Sequence, residues 1–263
     1  MSITDQIFLS TVEVDVLCAH LEIGRLPYPL GVPSAGFRWD ERAAVIERAW
    51  EGLAARGLVH GSTLDEDVAD LLRLLARPAL GVDAVGDIGA PLRALAVRDG
   101  ARAAAAMLTG TGLTMVEIRP TALVATLVDL LPYAEPGPGY AFNFPHRVLA
   151  ADDPDDLDDP DEELPFGGGG HDVLVRGGMS KGDARLLASL VEGRVRGGQF
   201  GITCWNRARG DTIRQPTLVT WFDTHAGRYL VVREHDWVSV APAGTDRLAA
   251  RVDQVLTTMA GER

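Results

Sequence analysis

The stretch that decides the fold is GQFGITCW (198–205), followed by PTLVTWFDTHAGRYLVV (216–232) and DWVSVAPAGTDRLAARVDQVL (236–256). Short β-rich runs are separated by turn chemistry. The spacing predicts strands over 200–206, 217–222, 229–233 and 237–240. Arg209-Gly210-Asp211, His225-Ala226-Gly227 and Glu234-His235-Asp236 form the turns between them. Pro242 then leads a helix with Leu248, Val252, Val255 and Leu256 on its inner side. A helix from Ser180 to about Val195 precedes the strands, with Ala184, Leu187, Ala188 and Val191 inward.

The same order occurs earlier. Leu64, Val68, Leu71, Leu72 and Leu75 share one face of a helix that Thr63 caps and Pro78 ends. Strands are then predicted at 80–85, 92–97, 103–108 and 113–118, and Asp99-Gly100 is the strongest hairpin signal. Pro120 leads a helix over Leu123, Val124, Leu127, Val128 and Leu131. Helix, four-strand meander, proline and helix thus appear twice, as a weak internal duplication. Meanders without crossover helices are antiparallel and need cover from helices. The expected fold is α+β: antiparallel β-sheet meanders flanked by helices, in two similar halves with pseudo-two-fold symmetry.

Two helices open the chain. Ser10 with Glu13 has capping-box spacing, and Val14, Leu17, Cys18 and Leu21 form the stripe behind it. Ile46, Ala49, Trp50 and Leu53 give a second helix over about 40–56. Pro27, Pro29 and Pro33 hold the chain extended between the two. The segment YAEPGPGYAFNFP (133–145) reads as coil, with a short helix after it at 146–150.

The net charge is −12. Asp152 to Glu163 holds nine acidic residues, so all but three of those net charges sit in one tract. With Gly167–Gly170 after it, the tract has no apolar surface to bury and reads as a disordered bridge. The expected organisation is an N-terminal half over 1–150, a linker over 151–175 and a C-terminal half over 176–263. The negative field disfavours nucleic acid and anionic membrane as partners. No run approaches 18 consecutive apolar residues, and no basic n-region with an apolar h-region opens the chain, so a cytoplasmic protein is expected. Cys18 and Cys204 make no disulfide framework and read as buried thiols.

Catalytic signatures are missing. There is no Gly-x-Ser-x-Gly elbow, phosphate loop or dinucleotide fingerprint, and Lys181 is the sole lysine. Gly167–Gly170 before His171 reads as linker, and the acidic tract lacks calcium-loop spacing. Asp223, His225, His235 and Asp236 would suit a metal-dependent hydrolase if the last strands brought them to one end of the sheet. Solvated turn residues are the simpler reading, so no cofactor, metal or catalytic residue is expected. Trp50-Glu51-Gly52 lies within a helix and reads as chance.

Phe200, Trp205, Trp221, Phe222, Tyr229 and Trp237 concentrate in the second meander. Alternation puts Val219 and Trp221 on one face and Leu218, Thr220 and Phe222 on the other. Either the sheet is covered on both sides within the chain, or one face awaits a partner.

Blocks along most of the chain resemble one family. FLSTVEVDVLCAHLEIG (8–24), ERAAVIERAWEGLAARGLV (41–59), DEDVADLLRLLARPALGVDA (65–84) and IRPTALVATLVDLLP (118–132) precede RGGQFGI (196–202), VTWFDTHAGRYLV (219–231) and the closing DWVSVAPAGTDRLAARVDQVL. In this order they resemble the EspG chaperones of actinobacterial type VII (ESX) secretion systems. The resemblance implies a non-enzymatic cytosolic protein that holds the apolar tip of a PE–PPE heterodimer, or another small helical substrate, and delivers it to the ESX machinery. It also implies a central antiparallel sheet with flanking helices and quasi-two-fold symmetry. By position, cargo contacts are expected from Met179, Leu187, Phe200, Ile202, Trp205, Arg207 and Arg214. A homodimer is the alternative use of such a surface.

Overall fold

Ser10 fixes the start of the first helix. In the computed structural model its hydroxyl accepts from the Glu13 N–H, and the Glu13 carboxylate accepts the Ser10 N–H in return. The structure describes residues 6–36, 38–61, 63–151, 171–206 and 211–261. Chain contacts divide it into two units, one of residues 1–84, 92–127 and 203–214, the other of 85–91, 128–202 and 215–263.

The first unit carries β1 (Ile7–Ser10), α1 (Thr11–His20), α2 (Trp39–Ala55), a small β2–β3 ribbon (Val59–His60, Thr63–Leu64) and α3 (Glu66–Ala76). It also holds most of β4 (Leu80–Asp87) and β5 (Pro91–Asp99), with β6 (Arg102–Leu108), β7 (Gly112–Glu117) and most of α4 (Leu123–Val128). Strand order is β1-β7-β6-β5-β4. The pairings β1–β7, β6–β7 and β5–β6 are antiparallel, and the last turns between Asp99 and Arg102 as the Asp-Gly pair predicts. Leu72, Leu75 and Val68 of α3 are fully buried with Leu17, Leu53, Val97, Leu113 and Met115. Burying each Leu or Val contributes about 1.5–3 kcal/mol, which ties α1 and α3 to the sheet.

The second unit carries β8 (Phe142–Pro145), a 3-10 helix (His146–Ala151), α5 (His171–Arg176) and α6 (Lys181–Glu192). The first part of β9 (Arg194–Asn206) follows, with β11 (Val219–Thr224), β12 (Gly227–Glu234), β13 (Trp237–Pro242) and α7 (Thr245–Gly261). Strand order is β9-β11-β12-β13-β8, all antiparallel. Phe222, Tyr229, Val231, Val238, Phe142 and Phe144 pack with Leu174, Leu187 and Leu190 from α5 and α6. On the other face Val219, Trp221 and Val232 are buried too, and α7 packs on β11. This sheet is therefore covered on both sides within the chain.

The element order is α3, β4 to β7, α4, and later α6, β9 to β13, α7, so the second run has five strands where four were expected. Several local expectations change. Asp65, not Thr63, caps α3, because its carboxylate accepts from the Asp67 and Val68 N–H groups while Thr63 pairs in β3. Phe142–Pro145 is a strand rather than coil, since Phe142 and Phe144 alternate into the core opposite Val240 and Val238. β9 begins at Arg194, so the preceding helix ends earlier than expected. Residues 209 and 210 of the expected turn lie outside the described residues, and Asp211 opens a further strand, β10 (Asp211–Arg214), paired with Asn206 to Thr203. Ile46 is exposed while Ala49 and Leu53 are buried, because only the C-terminal half of α2 meets the core.

The two units do not follow the boundaries at 150 and 176. Residues 203–214 group with the first unit, and 85–91 and 128–151 with the second. The acidic tract and the four glycines lie outside the described residues, whereas α5 (His171–Arg176) forms across the expected end of the linker at 175. Among the described residues, no helix is long and apolar enough to cross a membrane.

Candidate functional site

Cross-strand register builds the most distinctive surface of the first unit. Trp205 pairs with Thr212 and Thr203 with Arg214, so all four side chains share one face of the β9–β10 ribbon. Cys204 lies on the opposite face and is buried. The Trp205 N–H donates to the Ala79 carbonyl at 3.1 Å, which fixes the ribbon beside the start of β4. Trp205 itself remains 39% exposed.

Arg214 is held on that face by an ion pair across 131 residues of chain. Its two terminal nitrogens donate to the Asp83 carboxylate at 2.8 and 3.0 Å. Asp83 is buried in β4, so the fork-to-fork geometry offsets the desolvation of a carboxylate inside a sheet. The guanidinium also lies over the ring of Tyr28, 5.5 Å from its centroid, and that ring is half exposed. The result is an arginine neutralised by Asp83 over the Tyr28 ring, with Trp205 on the same face of the ribbon.

Tyr28 is carried by a proline-rich segment that is pinned along its length. Leu30 is fully buried. Arg93 of β5 donates to the carbonyls of Pro29 and Gly31 at 3.0 and 3.3 Å. Further on, the Ala35 N–H donates to Asp15, and Arg42 bridges Asp15 and the Ala35 carbonyl. Burial raises the Asp15 carboxyl, but the Ala35 N–H, Arg42 and Ser34 together outweigh it and hold the group below its ordinary value. Beside it, burial and the Asp15 charge push the Cys18 thiol up to about 11. Cys18 therefore behaves as an inert core thiol.

The expected contact residues separate by burial. Met179, Leu187, Phe200 and Ile202 lie inside, where Met179 and Leu187 pack with α5, α6 and the β11–β12 face. Trp205 and Arg214 reach the surface, and Arg207 lies outside the described residues. Asp83 and Tyr28 escaped the sequence reading. A lone acid inside the apolar run LGVDAVG was the available signal for Asp83, because an unpaired carboxylate is seldom buried.

The hydrolase arrangement does not assemble. His225 and His235 sit in the turns at opposite ends of β12, which its eight residues separate by about 25 Å. Asp223 is buried and bound by Arg228 at 2.7 and 3.1 Å. Among the described residues, no group of three or more His, Cys, Asp or Glu side chains could hold a metal ion.

No curated protein matches this chain. Its fold is that of the Mycobacterium tuberculosis type VII secretion system chaperone EspG5, solved in complex with a PE25–PPE41 dimer. The TM-score is 0.73 at 16% identity, over 96% of each chain. The family model for EspG proteins matches residues 10–254. The chain belongs to the EspG family.

Proposed function

We propose that this protein is a cytoplasmic chaperone for a type VII secretion substrate, either a PE–PPE heterodimer or a similar small helical cargo. It masks the apolar tip of that cargo, keeps it soluble and releases it to the ESX machinery, with no bond made or broken. The observation that carries this reading is the β9–β10 face. Trp205 and Tyr28 are half-exposed, and Arg214, on the same ribbon face as Trp205, lies over the Tyr28 ring. Trp, Tyr and Arg are the residue types that dominate binding energy at protein interfaces. A preformed strand face also loses little entropy when a helix docks.

Within that reading Trp205, Arg207 and Arg214 touch cargo. Met179, Leu187, Phe200 and Ile202 act as scaffold. The test is co-expression with PE–PPE pairs encoded near this gene, followed by size-exclusion chromatography. The expected result is a stable complex and a more soluble cargo, both lost in Trp205→Asp. A complex that forms equally well with Trp205→Asp overturns the placement. The absence of a complex with every neighbouring pair overturns the function.

A further inference from the structure

We propose that Arg214 is a positioning residue that couples the proline-rich segment 26–35 to the β9–β10 ribbon. This rests on the reading that the ribbon faces cargo, and it assigns that face a conformational partner elsewhere in the chain.

Three parts of the sequence meet at one guanidinium. Asp83 holds it through both terminal nitrogens, at 2.8 and 3.0 Å. Tyr28 lies beneath it at 5.5 Å, inside the distance of about 6 Å over which a ring attracts a cation. Arg214 itself is the last residue of β10, paired with Thr203 of β9. Asp83 belongs to β4 in the sheet and is 2% exposed, so it is the fixed end of the arrangement. Tyr28 and β10 are its two more exposed ends.

The neighbours of each end make the coupling mechanical. Tyr28 precedes Pro29, whose carbonyl accepts from Arg93, and Leu30, which is buried to 0% exposure. A shift of Tyr28 therefore strains the Arg93 clamp and the Leu30 plug. On the other side β10 has only four residues, all but Arg214 exposed. A ribbon so short and so little buried lies at the low-stability end of a fold. Its last side chain is one of its anchors. If β10 swings away, the guanidinium leaves the ring and the Tyr28 end of segment 26–35 loses that partner. If a ligand presses β10 onto β9, Arg214 is fixed over Tyr28 and the segment is immobilised with it. Occupancy of the Trp205 face is thereby reported along segment 26–35, beyond the Tyr28 ring itself.

The contact is also suited to a coupling role by its strength. A cation–ring contact at a half-exposed site changes an equilibrium by about two- to tenfold. That is enough to bias a local opening and too little to decide whether the chain folds.

Hydrogen–deuterium exchange on the full chain, without cargo, tests this. Tyr28→Ala replaces a half-exposed ring, and the thermal midpoint confirms that the variant is folded. The expected result is exchange about two- to tenfold faster at the β10 amides and at Trp205, in a segment far from the substitution in sequence. Tyr28→Phe, which keeps the ring, restores protection. Arg214→Lys keeps the charge but not the planar fork, and speeds exchange in both β10 and segment 26–35. Faster exchange confined to segment 26–35 in Tyr28→Ala overturns the proposal, as does unchanged exchange there in Arg214→Lys. A second arm adds a co-expressed PE–PPE heterodimer. Protection of segment 26–35 in the wild type, absent in Tyr28→Ala, supports the coupling. Cargo that protects the ribbon but not the segment overturns it. If no pair binds, the chaperone reading falls and the cargo-free exchange still decides this one.

Discussion

Arg228 and Asp223 form a bidentate ion pair almost sealed from solvent, with the Arg228 side chain at 0% and Asp223 at 4% exposure. The arginine also lies 4.9 Å from the centroid of Trp221 and donates to the Pro132 carbonyl at 2.7 Å. The sequence reading offers Asp223 as one of four residues of a hydrolase alternative and prefers a solvated turn for it. Its role is instead to neutralise a cation buried in the second unit.

Removing either member leaves a buried charge without its counter-ion. Asp223→Ala or Arg228→Ala is expected to lower unfolding free energy by about 3–5 kcal/mol, read from urea denaturation. Replacing both with apolar residues, Asp223→Ala with Arg228→Met, recovers most of the loss. A single substitution that costs under about 1 kcal/mol contradicts the assignment.

Asp15 makes stability depend on acid. Its folded carboxyl lies below the ordinary 3.8, so the Ala35 and Arg42 contacts stabilise the fold above that pH. The contribution is lost as pH falls through the lower, folded value. Asp15→Asn should therefore cost about 1–3 kcal/mol near neutral pH and little at about pH 2. Thermal midpoints of the two proteins should converge as the solution is acidified. Curves that stay parallel rule the contribution out.

Gly86 and Gly198 allow two backbones to approach within the second unit. A Cβ on Gly198 would sit 2.3 Å from the Val85 carbonyl oxygen, and one on Gly86 2.2 Å from that of Gly197. Both obstacles are backbone and cannot rotate aside. Gly198→Ala is expected to destabilise by about 1–3 kcal/mol or more. Gly110→Ala, which meets open space, should change stability by no more than about 0.5 kcal/mol. Equal thermal midpoints for the two variants would refute the close approach.

Burial separates binding from folding at the expected contact residues. Leu187 is 1% exposed, so Leu187→Ala should cost about 2–5 kcal/mol of stability. Trp205→Ala should cost under about 1 kcal/mol yet weaken cargo binding at least about tenfold. Calorimetry and a pull-down on the same preparations distinguish the two. A stable Leu187→Ala protein that no longer binds cargo would move Leu187 from scaffold to contact.

Much of this was legible because a one-sided helix shows its period and a two-sided strand shows as a short apolar run between turn residues. The Leu stripe of α3 and the apolar runs of β5, β6, β11 and β12 were visible along the chain. The short strands were not. β1, β8 and β10 have four residues each, too few for a pattern, and their identity comes from pairing with distant chain. Thr63 was a plausible cap, and Asp65 won by reaching two N–H groups. The contact surface was half legible. Trp205 and Arg214 announced themselves by type, but alternation alone could not say which face of β9 is covered. Tyr28 and Asp83 join them only through long-range packing.

The membership of residues 203–214 in the first unit bears on how the nascent chain matures. The Ala79 carbonyl and the Asp83 carboxylate find Trp205 and Arg214 only once those residues have left the ribosome. After residue 127 emerges, that wait lasts about 4–17 s at ordinary translation rates. During it, the edge of β4 is open and a carboxylate sits uncompensated. A chaperone built this way is itself incomplete for part of its own synthesis.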